Sequence, residues 1–306
     1  MRQAFVETLV ELAEQDKRIL LLTGDLGFMV LEPFALRFPG QFFNVGVAEQ
    51  HMVGMATGLA EAGFIPFVYS ITPFAVLRPY EFIRNGPVRH KLPVRIIGVG
   101  GGFDYGSTGV THHGLDDIGV MRVQPGITLV APADAAQARR AFLATWDMPG
   151  PVYYRLGKDR RGMVPGLDGR FELGQAQLLG AGTDLLFLST GNITAEVVRA
   201  TEILAEKGVS CQVMVVASLN PPPTADLLAA LARFKLALSV ESHYINGGLG
   251  SLVCEVVAEH GVGCRVVRCG VSEAPGGISG SMAYLNMLHG LSGDRLASRA
   301  ILELNR

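Results

Sequence analysis

Apolar segments that read as strands alternate with amphipathic helical segments along this 306-residue chain, and this alternation constrains the fold more than any other feature. It is clearest in the second half, where strand segments at 185–189, 212–216, 237–240 and 265–268 are separated by helical segments at 194–207, 225–234 and 249–260. Alternating strands and helices predict a parallel sheet with right-handed crossovers. We therefore expect an α/β fold of two domains, each a mainly parallel sheet with helices on both faces.

A glycine-rich segment separates the two halves of the chain. Residues 157–182 combine many glycines with a proline and a cluster of charges, which is typical of a linker. The sequence thus predicts a first domain at 1–156, a linker at 157–182 and a second domain at 183–306. A chain of 306 residues is long enough for two domains with their own cores.

The charge pattern argues against a nucleic-acid partner. The net charge is −2, and the only basic cluster is formed by Lys158, Arg160 and Arg161. Charged residues make up 18% of the chain and hydrophobic residues 49%. We expect the excess apolar surface to lie in subunit interfaces, so the chain should associate with itself or with another subunit.

The sequence also predicts a cytoplasmic protein that neither spans nor binds a membrane. No run of 18 apolar residues is present, so a membrane span is not expected. Acidic residues inside the first helical segment, Glu7, Glu11 and Glu14, argue against a signal peptide. The four cysteines form no CxxC pair and have mostly apolar neighbours, so we expect reduced thiols.

The stretch from Asn44 to Ala62 places a carboxylate where an apolar strand enters a helix. Residues 42–47 read as a short buried strand, Glu49 follows, and the helix carries Gly54, Gly58 and Ala62 at four-residue spacing. These small residues share one face of the helix, so another backbone can approach it closely. Glu49 is therefore a candidate proton-sharing residue, and the alternative is a glutamate that only complements the helix dipole.

Three further stretches supply candidate site residues. The loop Thr23 to Gly27 follows a buried strand, and the carboxyl ends of strands are where open α/β sheets bind ligands. The segment Ser70 to Phe74 joins a strand to a helix that we predict to run to Arg89, and a glycine-rich loop spans residues 100–114. For Asp25 the alternative is a turn residue that bonds its own backbone, and for Phe74 it is a core residue.

Taken in order, VAEQH (47–51), PFVYSITPF (66–74) and GVTHHG (109–114) resemble the pyrimidine-binding half of the transketolase family. This family includes transketolase, deoxyxylulose-phosphate synthase and the β subunits of 2-oxo-acid dehydrogenases. The resemblance covers residues 1–160, and the remainder resembles the family's C-terminal domain. It implies a thiamine diphosphate-binding fold and a transferase that moves a two-carbon ketol unit between sugars, which we expect to be phosphate esters.

The resemblance implies a role for each matching residue. Glu49 would contact ring nitrogen N1′ of thiamine diphosphate, and Phe74, with Tyr69 as second candidate, would stack on the aminopyrimidine ring. Asp25 and Leu26 would lie against the thiazolium region. His51 and His112 would orient hydroxyl groups or move protons, which suits imidazoles that titrate near neutral pH.

Substrate contacts are implied for three residues. Arg155, at the end of a predicted strand, stands where an arginine of transketolase-like proteins meets the sugar phosphate. Its alternative is a surface ion pair. In the family motif DGxTHQ, Thr108 stands in place of the aspartate and His113 in place of the glutamine. This departure puts ordinary pentose-phosphate specificity in question.

One part of the family's cofactor site has no match here. The metal and diphosphate motif, GDG followed by a distant Asn, belongs to a separate N-terminal domain, and GDLG at 24–27 does not match it. We therefore assign no metal ligand to this chain. We expect Mg²⁺ and the diphosphate to be held by an N-terminal-half partner subunit, in an α2β2 assembly.

Two other functions stay open at this point. One is the β subunit of a 2-oxo-acid dehydrogenase, and the other is a non-catalytic assembly module that keeps the fold. A smaller open point is the group Glu241, His243 and Asn246 beside Gly247 and Gly248. It is either a second polar site or a loop that fixes the second domain in place.

Overall fold

Two mainly parallel sheets form the framework of the protein, as the alternation of strands and helices predicts. The computed structural model describes residues 1–158 and 162–306, so Arg160 and Arg161 of the basic cluster lie outside the described residues. The strands are β1 (Ile19–Thr23), β2 (Phe42–Asn44), β3 (Ile65–Ile71), β4 (Arg95–Val99), β5 (Thr128–Val130), β6 (Val152–Leu156), β7 (Gln177–Leu179), β8 (Leu185–Ser189), β9 (Cys211–Val215), β10 (Ser218–Asn220), β11 (Leu236–Tyr244) and β12 (Arg265–Val271).

Helices cover both faces of each sheet. They are α1 (Arg2–Gln15), α2 (Glu32–Arg37), α3 (Glu49–Glu61), α4 (Thr72–Val76), α5 (Tyr80–Ile83), α6 (Asp117–Arg122), α7 (Ala135–Thr145), α8 (Thr194–Ala205), α9 (Thr224–Leu231), α10 (Leu249–His260), α11 (Met282–Leu288) and α12 (Gly293–Leu304). Short 3₁₀ turns lie at Gly106–Thr108, Val110–His112 and Gly191–Ile193, and a π-helical turn lies at Arg84–Val88. Among the described residues, no helix is long and apolar enough to cross a membrane.

The first sheet has the strand order β10-β5-β6-β4-β3-β1-β2. Its strand pairs are parallel except for β10 with β5, which is antiparallel. The central strands β1, β4 and β6 are buried along their whole length, as expected for strands covered by helices on both faces. One face packs against α1 and α7 through Phe5, Leu9 and Phe142, and the other packs against α3.

The second sheet has the order β12-β11-β8-β9-β7, with only β7 antiparallel to its neighbour. Helices α8 and α12 pack on one face through residues such as Val197 and Leu296, and α9 and α10 lie on the other. The cluster that includes α9 and α10 also contains residues of α3, β3 and β4. This cluster of buried apolar residues therefore extends across both domains.

Two strands cross the domain boundaries that the sequence predicts. Strand β7 lies inside the range 157–182 predicted as a linker, and it pairs with β9 of the second sheet. Strand β10 belongs by sequence to the second domain, yet it pairs with β5 of the first sheet. The two domains are thus joined by sheet hydrogen bonds as well as by the chain.

Candidate active site

The candidate site lies at the edge of the first sheet where the parallel strands end. Thr23, Asn44 and Ile71 are the last residues of β1, β2 and β3, and the turns that follow them meet at this edge. This is the position where open α/β sheets bind ligands. The turns carry most of the residues that the sequence singles out.

Glu49 is the first residue of α3, and its side chain points into the protein. Only 2% of the residue is exposed. Its Oε1 accepts a hydrogen bond of 3.0 Å from the Ser70 hydroxyl, and its Oε2 accepts one of 2.9 Å from Nη1 of Arg78. A carboxylate has about four acceptor positions, so two donors leave it able to accept more. A glutamate that only complemented the helix dipole would need neither burial nor two side-chain donors, so the surroundings of Glu49 favour a role in a site.

Arg78 connects this carboxylate to Phe74, and Phe74 in turn contacts His112. The Arg78 guanidinium carbon is 3.9 Å from the centroid of the Phe74 ring, which is within the range of a cation–π contact. The His112 ring meets Phe74 edge-on at 5.0 Å between centroids and 71° between planes. Burial and the nearby positive charge of Arg78 lower the pKa of His112, which favours the neutral imidazole. The structure thus brings Glu49, Phe74 and His112 into one group.

Tyr69, the second candidate for ring stacking, lies on the opposite side of the sheet from Ser70 because side chains alternate along a strand. It is 2% exposed, and its ring stacks on Phe5 of α1 at 5.7 Å and 16°. Burial raises the pKa of its phenol. The structure therefore gives Tyr69 a place in the core under α1 and leaves Phe74 as the aromatic candidate.

Asp25 and Leu26 form the turn after β1. Asp25 has a left-handed backbone with φ of 56°, and its amide donates to Oδ1 of Asn44 at 2.9 Å, while Nδ2 of Asn44 donates back to Oδ1 of Asp25 at 3.0 Å. The Leu26 carbonyl accepts from the Thr23 hydroxyl. A Cβ at Gly24 would lie only 3.5 Å from Oε1 of Glu49, so this turn passes close to the carboxylate.

His51 does not lie in this group. It sits two residues after Glu49 on α3, and residues at that spacing do not face each other on a helix. The residue is exposed on the same side as Gly54 and Gly58, which are also exposed. No hydrogen bond, ion pair or ring contact links His51 to another side chain in the described part of the chain. A catalytic role of His51 thus receives no support from contacts within this subunit.

Thr108 and His113 have different positions in the glycine-rich loop. Thr108 is exposed at the end of the 3₁₀ turn Gly106–Thr108. His113 is 6% exposed, and its ring packs edge-on against Phe103 at 5.2 Å. The structure therefore speaks against the expected substrate contact of His113, because its imidazole points into the interior.

Arg155 also lies in the interior, at 3% exposure. Its Nε donates to Oδ2 of Asp117 at 2.8 Å, and its Nη2 donates to the carbonyls of Gly114 and Ser242 at 2.9 and 2.8 Å. Because the residue is buried and its guanidinium donates to buried partners, Arg155 is not available to a sugar phosphate at the surface. The expected phosphate contact is thus replaced by a buried ion pair with Asp117 of the same domain and a hydrogen bond to Ser242 of the second domain. The alternative of a surface ion pair fails because both members of the pair are buried.

Lys158 is a cation that the sequence analysis did not assign to the site. It follows β6, and its Nζ lies 4.1 Å from the centroid of the Tyr105 ring. Together with Arg2, Phe28 and Met29 it lines a cavity of about 510 Å³ beside the turn after β1. Its position just after the predicted strand, three residues beyond Arg155, is the only sequence signal that points to it.

The polar residues Glu241, His243 and Asn246 of the second domain make structural contacts. Glu241 accepts hydrogen bonds from the amides of Leu249 and Gly250 at the start of α10, and burial raises its pKa. His243 accepts from the Gly119 amide of α6 at 3.2 Å through Nε2. Asn246 lies at the limit of hydrogen bonding from Arg268, at 3.5 Å. Of the two possibilities, the contacts favour a loop that fixes the domains together.

The group of Glu49, Phe74 and His112 has the chemistry to hold a planar nitrogen heterocycle. The carboxylate can share a proton with a ring nitrogen, and the aromatic face gains from offset stacking. A neutral imidazole beside them can accept or donate a proton near neutral pH. Among residues 1–158 and 162–306, no group of three or more His, Cys, Asp or Glu side chains could hold a metal ion.

Comparisons with known proteins agree with this chemistry. Residues 1–161 match the model of the transketolase pyrimidine-binding domain, and residues 174–296 match that of the transketolase C-terminal domain. The second match begins inside the predicted linker, as β7 does.

Three similar proteins match all or most of the chain. The putative transketolase C-terminal section of Methanocaldococcus jannaschii is 35% identical, with 100% of this chain and 96% of the relative covered. The apulose-4-phosphate transketolase of Phocaeicola vulgatus has a subunit that is 38% identical, with 87% of this chain and 86% of the relative covered. A solved split-gene transketolase, described as an inactive β4 tetramer, is 34% identical with a TM-score of 0.87, covering 100% of this chain and 98% of its own.

Proposed function

Because the chain belongs to the transketolase family and matches split subunits of it end to end, we propose the following function. The protein is the subunit of a two-component, thiamine diphosphate-dependent transketolase that holds the cofactor's aminopyrimidine ring. With its partner it transfers a two-carbon ketol unit between phosphorylated sugars. The similarity to split transketolase subunits favours this function over a 2-oxo-acid dehydrogenase β subunit and over a non-catalytic assembly module.

The observation that carries the proposal is the environment of Glu49. This carboxylate is buried at the strand-end edge of the first sheet, with Ser70 and Arg78 as donors. The two donors offset part of the cost of burying this carboxylate and still leave it acceptor positions for a ring N–H. In the proposed site Glu49 holds and returns a proton at ring nitrogen N1′.

The remaining residues of the group fit the same ring. Phe74 would stack on the aminopyrimidine, and the turn at Asp25 and Leu26 would lie against the thiazolium side. His112 would orient a substrate hydroxyl or move its proton. Bound thiamine diphosphate supplies the electron sink that the transfer of a ketol unit requires.

We propose that the diphosphate and Mg²⁺ are held by a second polypeptide, an N-terminal-half transketolase subunit. The similarity to named split subunits supports this partner, and so does an exposed surface next to the site. On α3, Gly54, Gly58 and Ala62 are exposed, and a Cβ at Gly58 would meet no atom within 4 Å. A Cβ at Gly54 would lie 3.6 Å from the Phe82 ring of this chain, so it is the open space at Gly58 that supports close packing by a partner.

Apolar side chains around this face strengthen the case for a partner. Val47, two residues before Glu49, is 69% exposed. Leu77 and Phe82 are also more exposed than is usual for their type. A second copy of the chain and the partner subunit could share this surface, as in an α2β2 assembly. The β4 tetramer of the split-gene relative supports self-association.

For the substrate we propose that Lys158, in place of Arg155, meets the phosphate group. Lys158 stands at the strand-end edge with Arg2 beside the same cavity, so two cations face one space. Thr108 is exposed on the loop that carries His112 and can offer one uncharged hydrogen bond to a hydroxyl. The substrate would thus extend from the cofactor ring past His112 towards Lys158.

The cytoplasmic location expected from the sequence stays a prediction. The four cysteines have free thiols in the structure, which is compatible with a reducing compartment. Cell fractionation with antibody detection would test it, and recovery in an extracellular or membrane fraction would contradict it.

The experiment that tests the function is Glu49→Gln in the complex reconstituted with the partner subunit. We expect the rate of ketol transfer to fall by about 10²–10⁴, the usual contribution of a proton-transferring side chain. Glu202→Gln, at an exposed position of α8 in the second domain, is the control and should keep the wild-type rate. Near-normal transfer by Glu49→Gln at saturating cofactor would show that Glu49 has no catalytic role.

A further inference from the structure

We propose that the C-terminal domain positions the loop that carries His112, with His289 as the central positioning residue. The loop in question, residues 103–113, is called the histidine loop below. The inference rests on the proposed function of His112 and extends it, because no residue of the C-terminal domain has been placed in the site so far.

Contacts among three aromatic rings connect the two domains. The His289 ring, just after α11, lies parallel to the Phe103 ring at 5.0 Å between centroids and 13° between planes. The other ring contact of Phe103 is with His113, which meets it edge-on at 5.2 Å and 84°. Phe103 is fully buried between them. His113 is the chain neighbour of His112, so a shift of Phe103 moves the backbone that carries His112.

A second contact holds the middle of the histidine loop against the same part of the C-terminal domain. The Gly280 amide donates to the Gly106 carbonyl at 3.2 Å. A Cβ on Gly106 would lie 2.5 Å from Cδ1 of Leu285 on α11 and 2.6 Å from the Gly280 carbonyl oxygen. Since the loop and α11 touch without spare room, the position of α11 sets the position of the loop.

The base of the histidine loop is closed by the first domain itself. Gly102 and Gly114 exchange two hydrogen bonds of 2.7 and 2.9 Å. Directly after this closure the Leu115 carbonyl accepts from the Tyr244 amide of β11 at 2.7 Å. The loop is thus fixed at its two ends, and α11 supports its inner side. His112 lies on the other side, where it meets Phe74.

The chemistry of His289 suits a stacking role more than a charged one. Burial lowers the pKa of its imidazole, and its Nε2 is buried with no hydrogen-bond partner among the residues that the structure describes. A neutral ring stacks on Phe103 without the cost of placing a charge in the interior. Phenylalanine should therefore replace His289 in this role, and alanine should not.

The test compares His289→Ala with His289→Phe in the complex with the partner subunit. For His289→Ala we expect kcat to fall at least tenfold with KM changed by less than twofold, because misplacing a reacting group by about 1 Å costs up to 10²-fold. Hydrogen exchange at residues 103–113 should become at least tenfold faster. For His289→Phe both quantities should stay within twofold of wild type. His260→Ala, at an exposed histidine of the same domain, is the matched control.

The outcomes separate this inference from the proposed function. Unchanged exchange in the histidine loop of His289→Ala, or faster exchange with unchanged kcat, would overturn the positioning role. Faster exchange together with a wild-type complex that transfers no ketol unit would support the contact and contradict the proposed function. Should His289→Ala fail to fold, His289→Leu fills the same space without a ring, and the same two measurements decide.

Discussion

Arg78 contacts Glu49 and Phe74 with the same guanidinium group. Its Nη1 donates to Oε2 of Glu49 at 2.9 Å, and its central carbon lies 3.9 Å from the centroid of the Phe74 ring. One side chain thus connects the residue proposed to bind the ring nitrogen with the residue proposed to stack on the ring. Their relative position depends on a planar cation that the sequence analysis did not single out.

Replacing Arg78 should weaken cofactor binding. For Arg78→Met we expect about a tenfold loss of thiamine diphosphate affinity in the reconstituted complex, since the cation–π contact and a half-exposed ion pair together contribute about 1–2 kcal/mol. Arg78→Lys keeps the charge but loses the planar group, so its loss should be intermediate. Titrating activity against cofactor concentration measures both, with the exposed Arg89→Met as control. Equal affinities of Arg78→Met and wild type would remove Arg78 from the site.

Replacing Arg155 should lower stability without changing substrate recognition. The Arg155–Asp117 pair is buried, and removing one member leaves an unpaired charge, which costs about 3–5 kcal/mol. We expect Arg155→Met to lower the free energy of unfolding by this amount in urea titrations, and to leave the KM for a phosphorylated sugar unchanged at temperatures where the variant is folded. A raised KM with normal stability would restore the phosphate role that the sequence predicted.

Replacing Lys158 should raise the KM for phosphorylated substrates. A charge-assisted hydrogen bond to phosphate contributes about 1.5–3 kcal/mol, so Lys158→Met should raise the KM for a phosphorylated sugar about tenfold or more. The KM for the same sugar without phosphate should hardly change. Lys207→Met, at an exposed position of the second domain, serves as control. If both sugars were affected equally, Lys158 would have no phosphate contact.

The buried His113 should make stability depend on pH. Burial lowers the pKa of its imidazole in the folded protein below the ordinary value of 6.5. The unfolded chain therefore takes up a proton first as the pH falls, so the contribution to stability is complete above pH 6.5 and is lost as the pH drops towards the folded-state pKa. Wild type should thus lose more stability than His113→Gln between pH 7.5 and 5.

Unfolding in urea at several pH values measures this difference. His90→Gln replaces an exposed histidine and should follow the wild-type pH dependence. Parallel curves for wild type and His113→Gln would mean that this imidazole titrates alike in the folded and unfolded states.

Regular elements with strong local signals could be predicted from the sequence to the residue. Strand β8 and helix α10 have the predicted bounds, and Asp134 caps α7 by accepting from the Gln137 amide. Other elements have bounds that differ from the predicted ones, because glycine and proline residues change the backbone locally. Strand β2 ends at Asn44 because Gly46 adopts a positive φ of 76°. The helix predicted from Phe74 to Arg89 is interrupted by a turn at residues 77–79 and widens to a π-helical turn at Arg84–Val88, which contains Pro87.

The site was predictable where a motif marks the residue and unpredictable where packing decides. Glu49, Phe74 and His112 lie together as their motifs suggest. Arg155 does not face the site, because contacts with Asp117 and Ser242 hold it in the interior. These contacts were not predictable, since Asp117 is distant in sequence and Ser242 comes from the other domain. No sequence motif marks Arg78. Its contacts with Glu49 and Phe74 form because α4 ends at Val76, two residues earlier.

Strand β10 has a consequence for how the chain is made. Ser218–Asn220 pair with Thr128–Val130, so β5 has no neighbour on that side until the ribosome has released the first strands of the second domain. Until then the growing chain presents an open sheet edge, which is a template for pairing with other chains. A genetic truncation after residue 156 would make that edge permanent. The first domain therefore depends on a strand from the second half of the chain, although the family models divide the chain into two domains.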